Sequence, residues 1–233
     1  MLVESLRMDV SSNNLANVDT AGFQKQTAHI YSLPETPIHR VHQKTSRLLG
    51  VLGTGALVDG SRSSFAPGAL RTTGNPLDCA LIGHGFFAVS TPEGTRYTRD
   101  GRFTVSESGL LATLSGHLVR GEQGSIYVGE GDVLINERGE VFVDGEMVDR
   151  LLIVEFNDRD ALVRRGANLF EAQPEAGTPF RYRATVAPGT IELANVNVVS
   201  EMVNLINIQR SYEANQKVIQ AFDETLGKII NEV

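Results

Sequence analysis

The sequence predicts a mainly β protein, a central antiparallel β domain, barrel-like or sandwich-like, bracketed by long N- and C-terminal helices that pair as a coiled coil. Three observations carry this expectation. Turn signals recur about every 8–12 residues through the middle of the chain, between short apolar or alternating runs. An apolar seam with four- and three-residue steps fills the C-terminal part. A shorter repeat at helical spacing opens the chain. The expected parts are a helix with its following motif over residues 1–23, an extended connection with short strands over 24–75, an all-β domain over 76–190 and a coiled-coil helix over 191–233.

Val3, Leu6 and Val10 share one face of the first helix, and the pattern continues into Asn13, Asn14, Leu15, Ala16 and Asn17. Gly22 is placed to stop it, because glycine tolerates the left-handed backbone of a helix terminus. Residues 24–75 hold Pro34, Pro37, Pro67 and several glycines, and read as neither helix nor regular sheet. In the middle, Phe86-Phe-Ala-Val-Ser precedes the turn Thr91-Pro-Glu-Gly94, and Asp100-Gly101 signals a hairpin. Glu107-Ser-Gly109, Glu137-Arg-Gly139 and Asp144-Gly145 mark further turns, and Leu151-Leu-Ile-Val-Glu-Phe reads as a buried strand. From Val198 the helical seam runs through Met202, Leu205, Gln209, Tyr212, Gln216, Ile219, Asp223, Leu226 and Ile230. A second stripe of Val199, Val203, Ile206, Phe222 and Ile229 lies beside it. Asn197 can cap this helix, and Glu201 then sits at the positive end of its dipole.

Composition excludes several functions. The chain has 233 residues, 41% hydrophobic and 21% charged, which is ordinary globular usage. No run approaches the roughly 18–20 apolar residues of a membrane span, so no direct membrane insertion is expected. The opening Met1-Leu-Val-Glu-Ser-Leu-Arg lacks a charged head followed by an apolar stretch, so no cleavable secretory signal is expected. Cys79 is the only cysteine, which excludes an internal disulfide and cysteine-based metal sites. The net charge is −7. Residues 1–75 carry 7 basic and 5 acidic side chains, residues 76–190 carry 11 and 17, and residues 191–233 carry 3 and 6. No dense basic stripe is present, so no nucleic-acid partner is expected.

Catalytic signatures are weak. His39-x-x-His42 has metal-ligand spacing only on a helix, and it sits in a proline-flanked segment without a third ligand. Gly53-Thr-Gly55 lacks the third glycine of a dinucleotide loop. His84 between two glycines reads as a loop residue. The carboxylates between residues 130 and 160 lack a calcium-loop pattern and read as a solvated strand face. A carbohydrate-active or metal-dependent enzyme on the β domain stays open as an alternative, as does a secreted adhesin or assembly chaperone. No cofactor is expected.

Ser11-Ser-Asn-Asn-Leu-Ala-Asn-Val-Asp-Thr-Ala-Gly-Phe23 resembles the N-terminal signature of the bacterial flagellar axial proteins of the rod and hook. Gly68-Ala-Leu-Arg-Thr-Thr-Gly-Asn-Pro-Leu-Asp78 with Gly83-His-Gly-Phe-Phe87, and Tyr97-Thr-Arg-Asp-Gly-Arg-Phe103 with Gly109-Leu-Leu, are similar to its central signatures. Asn195-Val-Asn-Val-Val-Ser-Glu-Met-Val203 and Gln209-Arg-Ser-Tyr-Glu-Ala-Asn-Gln-Lys217 are similar to its C-terminal helix. The short central region is unlike a hook protein. The runs Gly124–Val128, Val148–Phe156 and Gly166–Phe170 look most like the FlgF-type proximal rod, with the FlgG-type distal rod as the close alternative. In that family the first helix begins earlier, with a segment reading Y-T-A-A-S-G-M, so this chain is expected to lack its first turns.

The resemblance implies a non-enzymatic subunit, exported by the flagellar type III apparatus without a cleaved signal and polymerised helically with other rod subunits into the periplasmic drive shaft. It implies that Leu6, Val10 and Leu15 face Met202, Leu205, Tyr212, Ile219 and Leu226 across helix seams. It also implies that Asn13, Asn14, Asn17, Asn195 and Asn197 satisfy buried backbone or cross-subunit hydrogen bonds, with Gly22 and Phe23 completing the N-terminal motif.

Overall fold

A computed structural model describes residues 1–42 and 45–231. Strands dominate, with a helix near each end: α1, Leu2–Ala16, and α2, Val198–Asn231. Contacts divide the chain into two units. One comprises Met1–Asn13, Gln26–Arg62 and Val199–Val233, and the other comprises Asn14–Lys25 and Ser63–Val198.

The second unit is the β body. Its central strand, Phe86–Thr91, pairs with Gly94–Thr98, with Leu118–Val119 and with Ile153–Glu155. Side chains alternate across a strand. Phe87 and Val89 therefore enter one apolar cluster, with Phe103, Leu111, Ile126 and Leu151. Phe86 and Ala88 enter another, with Tyr97, Phe156 and Phe170. Burial on both faces explains why this strand reads as a continuous apolar run rather than an alternating one. The sheet is an open path, ending in Leu162–Arg164 on one side and Phe103–Val105 on the other, so it does not close into the barrel the sequence allowed.

Most turn signals hold. Thr91 pairs with Gly94, Val105 with Leu111, Ile135 with Val141, and Val143 with Glu146. Asp100-Gly101 does not make the expected hairpin, because Gly94–Thr98 pairs with Phe86–Thr91 and Phe103–Val105 pairs with Leu111–Thr113. Local bonds take over instead: the Asp100 carboxylate accepts from Arg102 N, Nε and Nη2 at 3.1, 3.0 and 2.8 Å, and Cys79 N donates to Gly101 O at 2.9 Å.

The first unit holds β1 (Gln26–Ser32), β2 (Thr36–His42), β3 (Thr45–Leu52) and β4 (Ala56–Ser63), strands of seven or eight residues where short ones were expected. β1 pairs with β4 and β2 with β3. Pro37 is tolerated because a two-stranded ladder leaves every strand an edge. His39 lies on β2, whereas the side chain of His42 lies outside the described residues, as does that of Ile230.

On α1 the predicted stripe is the covered one: Val10 is buried, and Val3 and Leu6 are half-buried. α2 starts at Val198, directly after Asn197, and its 34 residues span about 51 Å at 1.5 Å per residue. Its covered side is Glu201, Leu205, Ile208 and Tyr212. The predicted seam therefore divides, with Leu205 and Tyr212 covered and Met202, Ile219 and Leu226 exposed. Ile208 replaces Gln209 on the covered face because burying an amide without a partner is costly.

Candidate functional site

The β body contains a buried polar junction that ties the N-terminal and C-terminal motifs to its centre. Glu192 sits in the strand Thr190–Glu192, which pairs with Leu70–Thr72, and its side chain is almost wholly buried. Arg99 follows the strand Gly94–Thr98. Its Nε lies 3.0 Å from Glu192 Oε2, with the two side chains 4% and 1% exposed. Its Nη1 and Nη2 donate to Gly85 O and Gly83 O, each at 2.8 Å. Glu192 Oε1 accepts from Gln24 Nε2 at 3.3 Å and from Gly68 N at 3.1 Å. A buried charge is tolerated only when paired and hydrogen-bonded, and here both charges are.

Asn195 extends the junction. Its Oδ1 accepts from Lys25 N at 2.6 Å, and its Nδ2 donates to Ser64 O at 2.7 Å, Ala66 O at 2.8 Å and Gln24 Oε1 at 3.1 Å. One side chain thus fastens three chain segments. Phe23 is fully buried, with the Arg164 guanidinium 4.1 Å from its ring centroid. Arg164 Nη2 donates to Gln24 O at 3.0 Å, and burial pushes the guanidinium down to about 10. Asn168 Nδ2 donates to Ala21 O at 3.1 Å.

Gly22 has a different role from the one expected. α1 ends at Ala16 and runs out through bonds from Asn17 N to Asn14 O and from Thr20 N to Asn17 O. Gly22 lies beyond these turns at φ +67°, and a Cβ there would fall 2.3 Å from Asp100 N. It is present for close backbone approach, not as the helix stop. Gly68 is similar, since a Cβ would fall 1.9 Å from Leu193 O.

The other nominated residues are dispersed. Asn14 is buried, Leu15 and Asn17 are half-buried, and Asn13 and Asn197 are exposed. Asn17 Oδ1 accepts from Thr20 Oγ1 at 3.4 Å. Gln24, Arg99, Arg164 and Glu192 were not singled out from sequence. Arg99 lies inside a quoted motif, but nothing in a motif distinguishes a buried arginine from a surface one.

The described carboxylates of residues 130–160 mostly pair with neighbours or face solvent rather than converging on one pocket. Glu140 bonds Arg150, Glu155 Oε2 lies 2.9 Å from Arg159 Nη2, and the buried Asp149 accepts from Gln123 N and Arg150 N. Glu130, Asp132, Glu137, Asp144, Glu146, Asp158 and Asp160 are exposed. Among the described residues no group of three His, Cys, Asp or Glu is placed to hold a metal ion. His84 is exposed in its loop. Cys79 is fully buried, and burial pushes its thiol far above the ordinary range. No described helix is long and apolar enough to cross a membrane.

These features define a class: a β body clamped onto motifs from both parts of the chain that continue as helices. The comparisons with known proteins agree. Residues 3–24 match the model described as flagella basal body rod protein, residues 80–143 the flagellar hook protein FlgE/F/G D1 domain, and residues 187–232 the flagellar basal body rod FlgEFG protein C-terminal. The chain is 32% identical to the flagellar basal-body rod protein FlgG of Buchnera aphidicola subsp. Baizongia pistaciae, over 97% of this chain and 94% of that protein. Identity is also 32% to FlgG of Caulobacter vibrioides, over 97% and 93%. To FlgF of the same organism it is 31%, over 95% and 92%. The chain belongs to the flagellar basal-body rod protein family. It is a structural, non-enzymatic protein of the flagellar basal body, and family membership implies assembly with other axial subunits of rod and hook.

Proposed function

We propose that the chain polymerises helically with neighbouring axial subunits into the periplasmic rod, its two terminal helices pairing as a coiled-coil inner layer and its β body facing outward. The observation that carries this is the bare length of α2. Val199, Met202, Val203, Ile206, Val218, Ile219, Phe222, Leu226 and Ile229 are all between 48% and 71% exposed. Burying each such side chain contributes about 1.5–3 kcal/mol, so a helix this apolar gains most by lying between other helices. Heterologous contacts that do not close into a ring generate a helical filament. On this reading Leu6, Val10 and Leu15 of α1 face Met202, Leu205, Tyr212, Ile219 and Leu226, and Asn13, Asn14, Asn17, Asn195 and Asn197 satisfy buried backbone or cross-subunit hydrogen bonds. The flagellar export apparatus delivers the chain.

The double variant Ile219→Asp, Leu226→Asp tests this. Both side chains are exposed, so the β body keeps its urea midpoint while the chain disappears from purified basal bodies and swimming stops. Normal incorporation of that variant contradicts the proposal. Within the family we place the chain at the FlgF-type proximal position, on the short central region and the runs around Gly124, Val148 and Gly166. The FlgG-type distal position is the second reading, favoured by the 32% identity to FlgG of Buchnera. Imaging where rod growth arrests in a deletion strain separates the two.

A further inference from the structure

The small sheet Val133–Ile135, Glu140–Val143, Glu146–Arg150 is electrically polar along its strands. At one end Glu140 is opposite Arg150, next to the turn that carries Glu137 and Arg138, so the charges there balance. At the other end Val143 is opposite Glu146, across the Asp144-Gly145 turn, and the entry to the sheet carries Glu130 and Asp132. Glu130, Asp132, Asp144 and Glu146 are all exposed. Glu140 and Val143 are three residues apart, so the two ends are separated by about 10 Å of strand.

That balanced end opens on a cavity of about 580 Å³. Its walls include Arg138, Arg150, Arg181 and Arg183 against Glu122 and Glu137. That is a positive excess in a segment, residues 76–190, that holds 11 basic and 17 acidic side chains. Arg138 and Arg183 form no ion pair among the described residues, and Arg181 Nη1 is a loose 3.9 Å from Glu122 Oε2. Arg150 is committed to Glu140 through Nη2.

We propose that this cavity receives the acidic end of the same sheet from a second copy of the chain. The exposed carboxylates lie at one end of the sheet and the arginine-lined cavity at the other, with Arg181 and Arg183 contributed to its wall by a neighbouring segment. Their union is head-to-tail and repeats without closing, which is the symmetry of a filament. It supplies register between β bodies, since opposed charges fix orientation more than they add affinity. The inference rests on the rod reading above and adds a contact to it that does not involve the helices.

Cysteine cross-linking tests it in intact cells. Arg183→Cys and Glu146→Cys are placed in one chain, and Arg183→Cys with Ser108→Cys serves as the control pair. The natural Cys79 is fully buried and gives no background. After mild oxidation, the expected result is a ladder of covalent multimers from purified basal bodies with the first pair and monomer with the second. Basal bodies that contain the chain but give monomer only, or equal ladders with both pairs, overturn the docking contact and leave the rod reading standing. Basal bodies of the unmodified strain that lack the chain overturn the rod reading itself. A second measurement uses charge reversal. Arg138→Glu with Arg183→Glu lowers swimming at least tenfold, and adding Asp132→Arg with Glu146→Arg to the same chain restores it. Failure of the fourfold variant to recover, with its β body still folded, also overturns the contact.

Discussion

Glu192→Gln isolates the charge at the centre of the junction. The amide keeps nearly the same shape and retains an oxygen able to accept from Gly68 N. What it removes is the negative charge 3.0 Å from Arg99 Nε, in a place where the two side chains are 4% and 1% exposed. Breaking a buried pair by neutralising one partner costs about 3–5 kcal/mol. Arg99 keeps two carbonyl acceptors, Gly83 O and Gly85 O at 2.8 Å, which hold one N–H each of Nη2 and Nη1 and place the loss at the lower end, about 3 kcal/mol. With a urea slope of about 2 kcal/mol per molar, the unfolding midpoint falls by about 1.5 M. Tryptophan is absent, so the transition is followed by far-UV circular dichroism, which reads the β body and the helices together. The control is Arg165→Gln, which breaks the contact to Glu171 at a side chain 52% exposed, where about 0–1 kcal/mol is expected. A Glu192→Gln loss below 1 kcal/mol, or one no larger than that of the control, refutes the argument that this charge pair organises the junction.

Three other outcomes follow from the geometry. Gly22→Ala costs about 2–4 kcal/mol, combining left-handed backbone strain with a Cβ driven against Asp100 N, and appears as a lowered melting temperature. Cys79 resists alkylation by iodoacetamide in the folded protein and reacts once urea unfolds it, because its thiol is fully buried and held far above its ordinary range by that burial. The hydrogen bonds from Asn136 and Arg150 hold the Glu140 carboxyl below its ordinary 4.5. Its stabilisation is therefore present above that value and fades as acid takes pH down through the folded value. Glu140→Gln should flatten that part of the acid titration of stability and leave the neutral side unchanged.

The helices were legible because periodicity is a local property. The start of α2 at Val198 followed from Asn195-Val-Asn197 and the seam, and the α1 stripe of Val3, Leu6 and Val10 is the covered one. Two-residue turns such as Asp144-Gly145 were legible for the same reason. Asp100-Gly101 misled because an identical dipeptide serves a different purpose once Asp100 can chelate Arg102. The junction was hidden for a deeper reason. Glu192 and Arg99 are charged residues, 93 positions apart, and only a fold brings them to 3.0 Å. Likewise, no pattern within the N-terminal motif reveals that Gly22 faces the backbone of Arg99 and Asp100. The asparagines stood out by composition, and Asn195 proved central, but the identity of its three acceptors depended on distant segments.

The separation of the bonded partners also has a kinetic meaning. Gln24 and Glu192 are 168 positions apart, and Asn195 reaches Lys25 over 170. Joining the ends of so long a loop carries most of its entropy cost before any contact repays it. The motif around Phe23 is made well before Glu192 and Asn195 and waits for them. A chain interrupted before residue 192 would leave Gln24, Gly68 and Arg99 without their common acceptor, and the body would stay unlocked. The junction therefore acts as a check on synthesis: the earlier segment is secured only when its partner, 168 positions further on, has arrived.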